Sequence, residues 1–284
     1  LLFVVAGLLA SLGHLGRPAR AWRALSQWRT SWLSREGVAA LLTFVPVAVL
    51  VIQHGLMLVQ ISAHGPGELM TERWWNAFAW NSTWLPLLGA LLASGSFATV
   101  LCTANIYASL KPVAAWRDPR VAPAYLLLAL YGGTVLLLAC GPTFPQDRRM
   151  LLVGVAVLSV TCAFLKHRYW RAIDALRAPD AGQATGLSAL GDVRSFEAPH
   201  TGENYLTHEM GFVLARKHAR KLRRVALVLA FLVPGLLALL SLLAPTIGMP
   251  AAWIALASCL AGLFVERWLF FAEAKHAVMA YYAR

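Results

Sequence analysis

Several polar residues fall at the ends of long apolar stretches, where they could act on a lipid-soluble molecule. His14 ends the first stretch, with Arg17 and Arg20 three and six residues further on, and Asn105 and Tyr107 end the third. Imidazole exchanges protons near neutral pH, and amide and phenol groups donate hydrogen bonds. Hydrogen bonds to both ring oxygens, a route for protons and an apolar entrance are what the proton-coupled chemistry of a quinone requires. The residues therefore fit a quinone site, although helix capping and interfacial anchoring would use the same residue types.

Two adjacent charges, Glu266 and Arg267, interrupt the last apolar stretch. An isolated charge at the bilayer centre costs roughly 2.5–3.5 kcal/mol on insertion scales. We therefore expect the two residues to be paired within a bundle or near its inner mouth. Arg267 joins the candidate quinone residues, with a purely structural pair as an equal alternative.

The composition identifies the surroundings of these residues. Of 284 residues, 59% are apolar and 13% charged, against about 45–50% and ~25% in soluble domains. Stretches near the ~20 residues that span a bilayer recur along the chain. The predicted fold is all-α, a polytopic membrane helix bundle in a single integral membrane domain over 1–284. The predicted helices cover 1–15, 38–61, 84–110, 122–141, 149–166, 225–245 and 250–273.

The basic residues predict the topology of these seven helices. Of the 25 Lys and Arg residues, 21 lie in the first, third and fifth connections and the C-terminal tail, against three in the even connections. The positive-inside rule makes the odd connections cytoplasmic. The net charge of +12 thus reflects topology and lipid contact rather than nucleic-acid binding. Because residue 1 is a leucine inside an apolar run, we expect the chain to start part-way through a longer one.

Two cytoplasmic segments are more than connectors. In 17–35, apolar residues recur every three or four residues among arginines, which is typical of an interfacial amphipathic helix; they are Trp22, Leu25, Trp28 and Trp32. The connection 166–224 is long, polar and basic at its end. We predict that both segments dock a soluble partner; attraction to lipid would explain the same charges. The candidate docking residues are Arg23, Arg35, Arg216, Lys217 and Arg220.

Metal ligands are scarce in the sequence. The four cysteines are widely separated, with no CxxC, and only His54 lies well inside a helix. No recognisable framework exists for zinc, iron–sulfur clusters or a bis-histidine haem. We therefore expect no metal and no haem in this chain, and any metal centre of its complex on another subunit.

Four segments carry a family resemblance: 13–22 (GHLGRPARAW), 31–36 (SWLSRE), 102–110 (CTANIYASL) and 209–218 (EMGFVLARKH). The first two resemble the anchor-subunit family of dimethyl sulfoxide reductase. The other two are more like its branch in cytoplasm-facing sulfite dehydrogenase (quinone) complexes.

This resemblance implies a haem-free bundle of eight helices, one more at the N-terminus than the seven counted. It also implies a bound quinone (ubiquinone or menaquinone) and an iron–sulfur subunit that connects to a molybdopterin catalytic subunit. The histidine of the HLG motif is the family's quinone residue, and it corresponds to His14.

The resemblance and the topology together predict a function. Arginines around the HLG motif place it on the cytoplasmic side, which favours an anchor that passes electrons from cytoplasmic sulfite oxidation to the quinone pool. The chain would be a quinone-reactive or non-catalytic subunit of that oxidoreductase. The alternatives are a reductase anchor that oxidises quinol, an anchor without a quinone site, and a small-solute transporter. Against the transporter, no matching pair of Gly/Pro-broken helices and no midplane acidic cluster is present.

Overall fold

A computed structural model describes residues 5–7, 10, 13, 18–64, 72–141, 145–176, 181–193, 196–197 and 216–278. His14, Arg17 and most of the predicted first helix lie outside the described residues, as does most of 177–215. The α-helices are α1 (Trp32–His64), α2 (Glu72–Ala108), α3 (Val121–Cys140), α4 (Pro145–Asp174), α5 (Ala181–Thr185), α6 (Ala219–Leu227), α7 (Val233–Leu243) and α8 (Gly248–Ala272). A π-helical turn, Val228–Leu232, joins α6 to α7.

Six helical segments within the described residues are long and apolar enough to cross a membrane. They lie in α1, α2, α3, α4, the continuous rod from α6 to α7, and α8 with its preceding turn. Each corresponds to one of the predicted helices from the second to the seventh. The predicted fold class, an all-α polytopic membrane bundle, is confirmed.

The fourth helix runs further than the sequence pattern predicted. The prediction ended this helix at residue 166, whereas α4 continues to Asp174. The reason is a stripe of inward-facing residues at helical spacing, Lys166, Tyr169, Trp170 and Ile173, which packs against the rest of the bundle. The polar connection therefore begins about two turns later, and Lys166 belongs to the bundle.

The predicted interfacial segment contains a short helix of another kind. Pro18–Gln27 is a 3₁₀ helix, and α1 begins at Trp32. Trp22 and Trp28 are exposed, and each lies beneath an arginine, Arg23 or Arg29. Exposed tryptophans with stacked guanidinium groups are suited to the headgroup region of a bilayer.

The chain divides into two compact units, Leu1–Ile106 and Tyr107–Arg284. In the N-terminal unit, the Ser34 hydroxyl donates a hydrogen bond to the Ala24 carbonyl and ties the 3₁₀ helix to α1. Thr43 of α1 lies close to Gly95 of α2, where a Cβ at residue 95 would overlap it. Almost none of the residues in the two described spans of this unit, in α1 and α2, are buried.

The C-terminal unit is a bundle of four spans. Helix α3 packs on α4 and α8, α4 packs on α7, and α8 packs on α6 and α7. The core is formed by apolar side chains of all four spans, including Tyr131, Val155, Phe231 and Cys259. At Gly262 the contact is so close that a Cβ would overlap the backbone of Ala230.

A proline shapes the π turn. Pro234 has no N–H, so the carbonyls four and five residues before it, those of Ala230 and Leu229, lack that donor. The hydroxyl of Tyr131 donates to the Ala230 carbonyl at 2.5 Å, and the hydroxyl of Ser258 donates to the Leu229 carbonyl at 2.8 Å. Side chains from two other spans thus satisfy the backbone groups that the proline frees, which fixes the rod in the bundle.

Candidate functional site

A buried ion triad lies where α4 and α8 approach their C-terminal ends. Lys166 Nζ is 2.5 Å from Glu266 Oε1, and both side chains are almost completely buried. Arg267 reaches the same carboxylate with two hydrogen bonds, of 2.6 and 2.8 Å. The expected pairing of Glu266 with Arg267 is confirmed, but Lys166 was not predicted as a partner. Two cations surround one carboxylate, so the triad carries a net positive charge.

Aromatic rings form one wall beside the triad. The Arg267 guanidinium lies 4.4 Å from the ring centre of Tyr125 and 4.9 Å from that of Phe270. Tyr107 is stacked on Tyr125, with ring centres 6.0 Å apart, and meets Phe270 edge-on at 5.5 Å. The structure therefore brings together Tyr107 and Arg267, two of the predicted quinone residues, through the two rings they share.

Lys166 has its own aromatic surroundings. Its ammonium lies 4.2 Å from the ring centre of Tyr169 and 5.1 Å from that of Trp170. The Tyr169 hydroxyl donates to the Ala115 carbonyl, and the Trp116 indole donates to the Phe270 carbonyl at 2.9 Å. The connection between α2 and α3 is thereby held against α4 and the end of α8. Cation–π contacts of this kind gain strength where water is excluded.

A second ion network continues from this end of the bundle. Arg223 of α6 binds Asp174 through two hydrogen bonds of 2.7 and 2.9 Å, and Glu273 through one of 2.8 Å. Burial raises the pKa of the Glu273 carboxyl above its ordinary value, while the Arg223 guanidinium acts in the opposite direction. Together with the triad, four spans supply charged or aromatic side chains to one end of the bundle.

Two of the predicted docking residues are used within the chain. Arg216 donates to the carbonyls of Ala272 and Ala274 and so caps the C-terminus of α8; burial lowers its pKa. Arg35 donates to the carbonyls of Trp28 and Arg29. Arg23, Lys217 and Arg220 are exposed. An exposed docking surface must therefore rest on these last three.

The N-terminal unit contains the other described candidates. Arg20 is exposed on the 3₁₀ helix. Asn105 donates to the Leu101 carbonyl of its own helix at 2.8 Å. Near it, the Thr103 hydroxyl donates to Glu36 Oε1 at 2.5 Å, which joins α2 to α1. His14 and Arg17 lie outside the described residues.

Sequence reasoning missed Lys166, Tyr125 and Glu36 as members of these polar groups. For Lys166 a usable signal existed: a lone acidic residue deep in the last span needs a cation at its own depth, and Lys166 ends a stretch that can supply one. Tyr125 and Glu36 gave no comparable signal.

Metal-binding side chains are not clustered in the described part of the chain. Within it, no three His, Cys, Asp or Glu side chains come together to hold a metal ion. The four cysteines are free. The placement of metal centres on partner subunits remains a prediction.

Six spans within the described residues, with a charged and aromatic end of the bundle, define the chain as a multi-pass membrane protein. The family model described as DMSO reductase anchor subunit (DmsC) matches residues 1–272, and the chain belongs to this family. It is similar to a sulfite dehydrogenase subunit of Allochromatium vinosum, with 33% identity over 285 residues that cover 99% of this chain and 83% of that protein. No solved structure matched the chain.

Proposed function

We propose that this protein is the membrane anchor and quinone-binding subunit of a molybdopterin and iron–sulfur oxidoreductase complex. It would pass electrons from cytoplasmic sulfite oxidation to ubiquinone or menaquinone in the bacterial inner membrane. Membership of the DmsC family supports the anchor role, and similarity to a sulfite dehydrogenase subunit supports sulfite as the electron source. Iron–sulfur clusters and molybdopterin belong to the partner subunits in this proposal.

The observation that carries the quinone role is the arrangement of Arg267 with Tyr107 and Tyr125. A quinone ring needs donors for its two oxygens and an apolar wall for its faces. The guanidinium, partly exposed and oriented by Glu266, offers N–H donors beside aromatic rings. Phe270 extends the apolar wall. This set supplies the kinds of group that a quinone head group needs, and the other N–H groups of Arg267 can donate while Glu266 holds two of them.

His14 is the proposed acid–base group. Its place in the HLG motif supports this role, and Arg17 and Arg20 follow it in the sequence. The imidazole would hydrogen-bond a ring oxygen and exchange its proton with the cytoplasm. Arg17 and Arg20 would favour the negative charge that develops as the quinone is reduced, and Asn105 would supply a further polar group.

The test compares two electron acceptors on one preparation of the whole complex. His14→Ala is expected to lower quinone reduction by ~10²-fold or more, the scale of a lost acid–base group, and to spare sulfite oxidation with a soluble artificial acceptor. His54→Ala, at a histidine outside the motif, is the matched control and should leave both rates unchanged. Equal losses with the two acceptors, or no loss with quinone, would remove His14 from the site.

Arg267 is tested by itself. Arg267→Gln leaves Glu266 paired with Lys166, so the remaining ion pair is neutral and the fold is expected to hold. The loss of a charged hydrogen bond of about 1.5–3 kcal/mol would weaken quinone reduction by roughly 10- to 100-fold. Unchanged quinone kinetics would make Arg267 a structural residue only.

Docking of the iron–sulfur subunit is proposed at exposed basic residues of each unit, Arg23 in the N-terminal unit and Lys217 and Arg220 in the C-terminal unit. Charge reversal by Arg23→Glu and Lys217→Glu should release the catalytic subunits from the membrane at moderate salt. Arg149→Glu, an exposed change at the other end of α4, is the control and should retain them. Retention in all variants would contradict the docking surface without touching the quinone proposal.

The family description favours one alternative, a complex that oxidises quinol and reduces an S-oxide. Both directions of electron flow would use the same anchor. Assays with the two substrates, sulfite and an S-oxide, therefore distinguish them. Sulfite-dependent reduction of a quinone analogue supports the proposed direction, whereas S-oxide-dependent oxidation of its quinol, without sulfite activity, would reverse it.

A further inference from the structure

An apolar groove of about 550 Å³ runs along the surface of the C-terminal bundle between α4 and the rod from α6 to α7. Its wall is almost entirely hydrocarbon, with side chains such as Val160, Phe164, Leu232 and Leu236. Two polar residues line it. Ser159 donates to its own helix, and His167 lies at one end.

The length of the groove matches half a bilayer. Along α4 it extends from Ala156 to His167, which at 1.5 Å per residue is about 16 Å. The hydrocarbon core of a bilayer is ~30 Å thick, so the groove covers about one leaflet. It reaches the end of the bundle at which the positive-inside pattern places the cytoplasm.

Basic residues continue both walls of the groove beyond that end. On α4, Arg168 and Arg171 follow Phe164 by four and seven residues; on the other wall, Arg224 and Lys221 precede Val228 by four and seven. These spacings keep each cation on the same face of its helix as the groove residue. The four side chains are exposed, and none forms an ion pair within the described part of the chain. Their neighbour Arg223, by contrast, is held by Asp174 and Glu273.

We propose that this groove binds an anionic phospholipid of the cytoplasmic leaflet, with an acyl chain along the apolar walls and the phosphate among these four cations. The charge complementarity selects the occupant, because unpaired cations at the end of an apolar groove suit a lipid phosphate. Guanidinium groups bind phosphate through paired hydrogen bonds, which an ammonium cannot match. A zwitterionic lipid offers the same phosphate but brings a cationic group that these residues repel.

The binding test uses the purified full chain, stripped of lipid in detergent and titrated in native mass spectrometry. The probes are phosphatidylglycerol and phosphatidylcholine with identical acyl chains. Phosphatidylglycerol is expected to bind at least about tenfold more tightly, and increasing salt should weaken its binding. Equal affinity for the two lipids would overturn the proposal.

Variants locate the site. Arg171→Gln together with Arg224→Gln should lower phosphatidylglycerol affinity by about tenfold or more. Val160→Trp, which fills the exposed groove, should also lower the affinity for phosphatidylglycerol, although all four cations remain in place. Arg149→Gln, at the opposite end of α4, is the control. Each variant is first checked for a monodisperse elution profile.

The contradicting outcomes are specific. If Arg149→Gln loses as much affinity as the paired variant, the attraction is general charge and no site exists. If Val160→Trp leaves the affinity unchanged, the acyl chain does not occupy the groove. If a long-chain quinone displaces the lipid while a tailless quinone does not, the groove belongs to the isoprenoid chain and the lipid proposal fails.

Discussion

Lys166 Nζ and Glu266 Oε1 lie 2.5 Å apart inside the membrane bundle, on two spans separated by a hundred residues of sequence. Arg267 holds the other oxygen of the same carboxylate. One carboxylate therefore balances only one of the two cations that it contacts, and the three residues do not contribute equally to the stability of the bundle.

Removing the acid is expected to cost more than removing the lysine. Glu266→Gln leaves two cations side by side without a counter-charge, a loss on the scale of about 3–5 kcal/mol for a broken buried pair. Lys166→Met leaves the neutral pair of Glu266 and Arg267. It also replaces the lysine side chain with an apolar side chain of similar length. Its cost should be about 1 kcal/mol or less. The thermal midpoints of the two detergent-solubilised variants give the comparison, and equal losses would show that the charge balance does not govern this site.

The hydroxyl of Tyr131 is expected to stabilise the rod because Pro234 cannot donate to the Ala230 carbonyl. Tyr131→Phe leaves that buried carbonyl unpaired and should cost about 1–3 kcal/mol. Pro234→Ala returns an N–H to the rod. The loss of stability caused by Tyr131→Phe should therefore be smaller in a chain that also carries Pro234→Ala. A double-mutant cycle on thermal stability measures this coupling. Thr161→Val, at an exposed hydroxyl bonded only to its own helix, is the matched control. Additive effects would mean that the proline and the tyrosine act independently.

Glu273 predicts a dependence of stability on pH. Burial raises the pKa of this carboxyl in the folded chain, so between its ordinary value of about 4.3 and the raised value the folded state binds more protons than the unfolded state. The contribution of this group to stability must then fall as pH rises through that window. Thermal midpoints of the unchanged chain should decline as the pH is raised from 4. The decline should be smaller in Glu273→Gln. An identical pH profile for the variant would exclude Glu273 as its source.

The apolar pattern and the distribution of basic residues were enough to predict the fold class and all six described spans. The interior polar contacts were not predictable to the same degree. Lys166 was assigned to a connection because charges normally end a span, and only the packing of Tyr169 and Trp170 shows why α4 continues past it. The contact of Tyr107 with Tyr125 depends on how α3 packs, which no local pattern encodes. The pairing of Glu266 was predictable because an unpaired carboxylate in a bilayer is so costly.

A close approach between two spans gives a prediction with an internal control. At Gly262 of α8, a Cβ would overlap the backbone N and Cα of Ala230, which belongs to the π turn and cannot move as a side chain can. Gly262→Ala must therefore push α8 away from the rod and disturb the nearby Tyr131 and Ser258 hydrogen bonds, with an expected loss of about 1–3 kcal/mol. Gly133 of α3 has no atom within 4 Å of the corresponding Cβ position. Gly133→Ala should be neutral or stabilising by up to about 1 kcal/mol, because alanine favours the helix. Thermal midpoints of both variants in the same detergent decide the matter: a Gly262→Ala chain as stable as Gly133→Ala would show that α8 and the rod do not pack this closely.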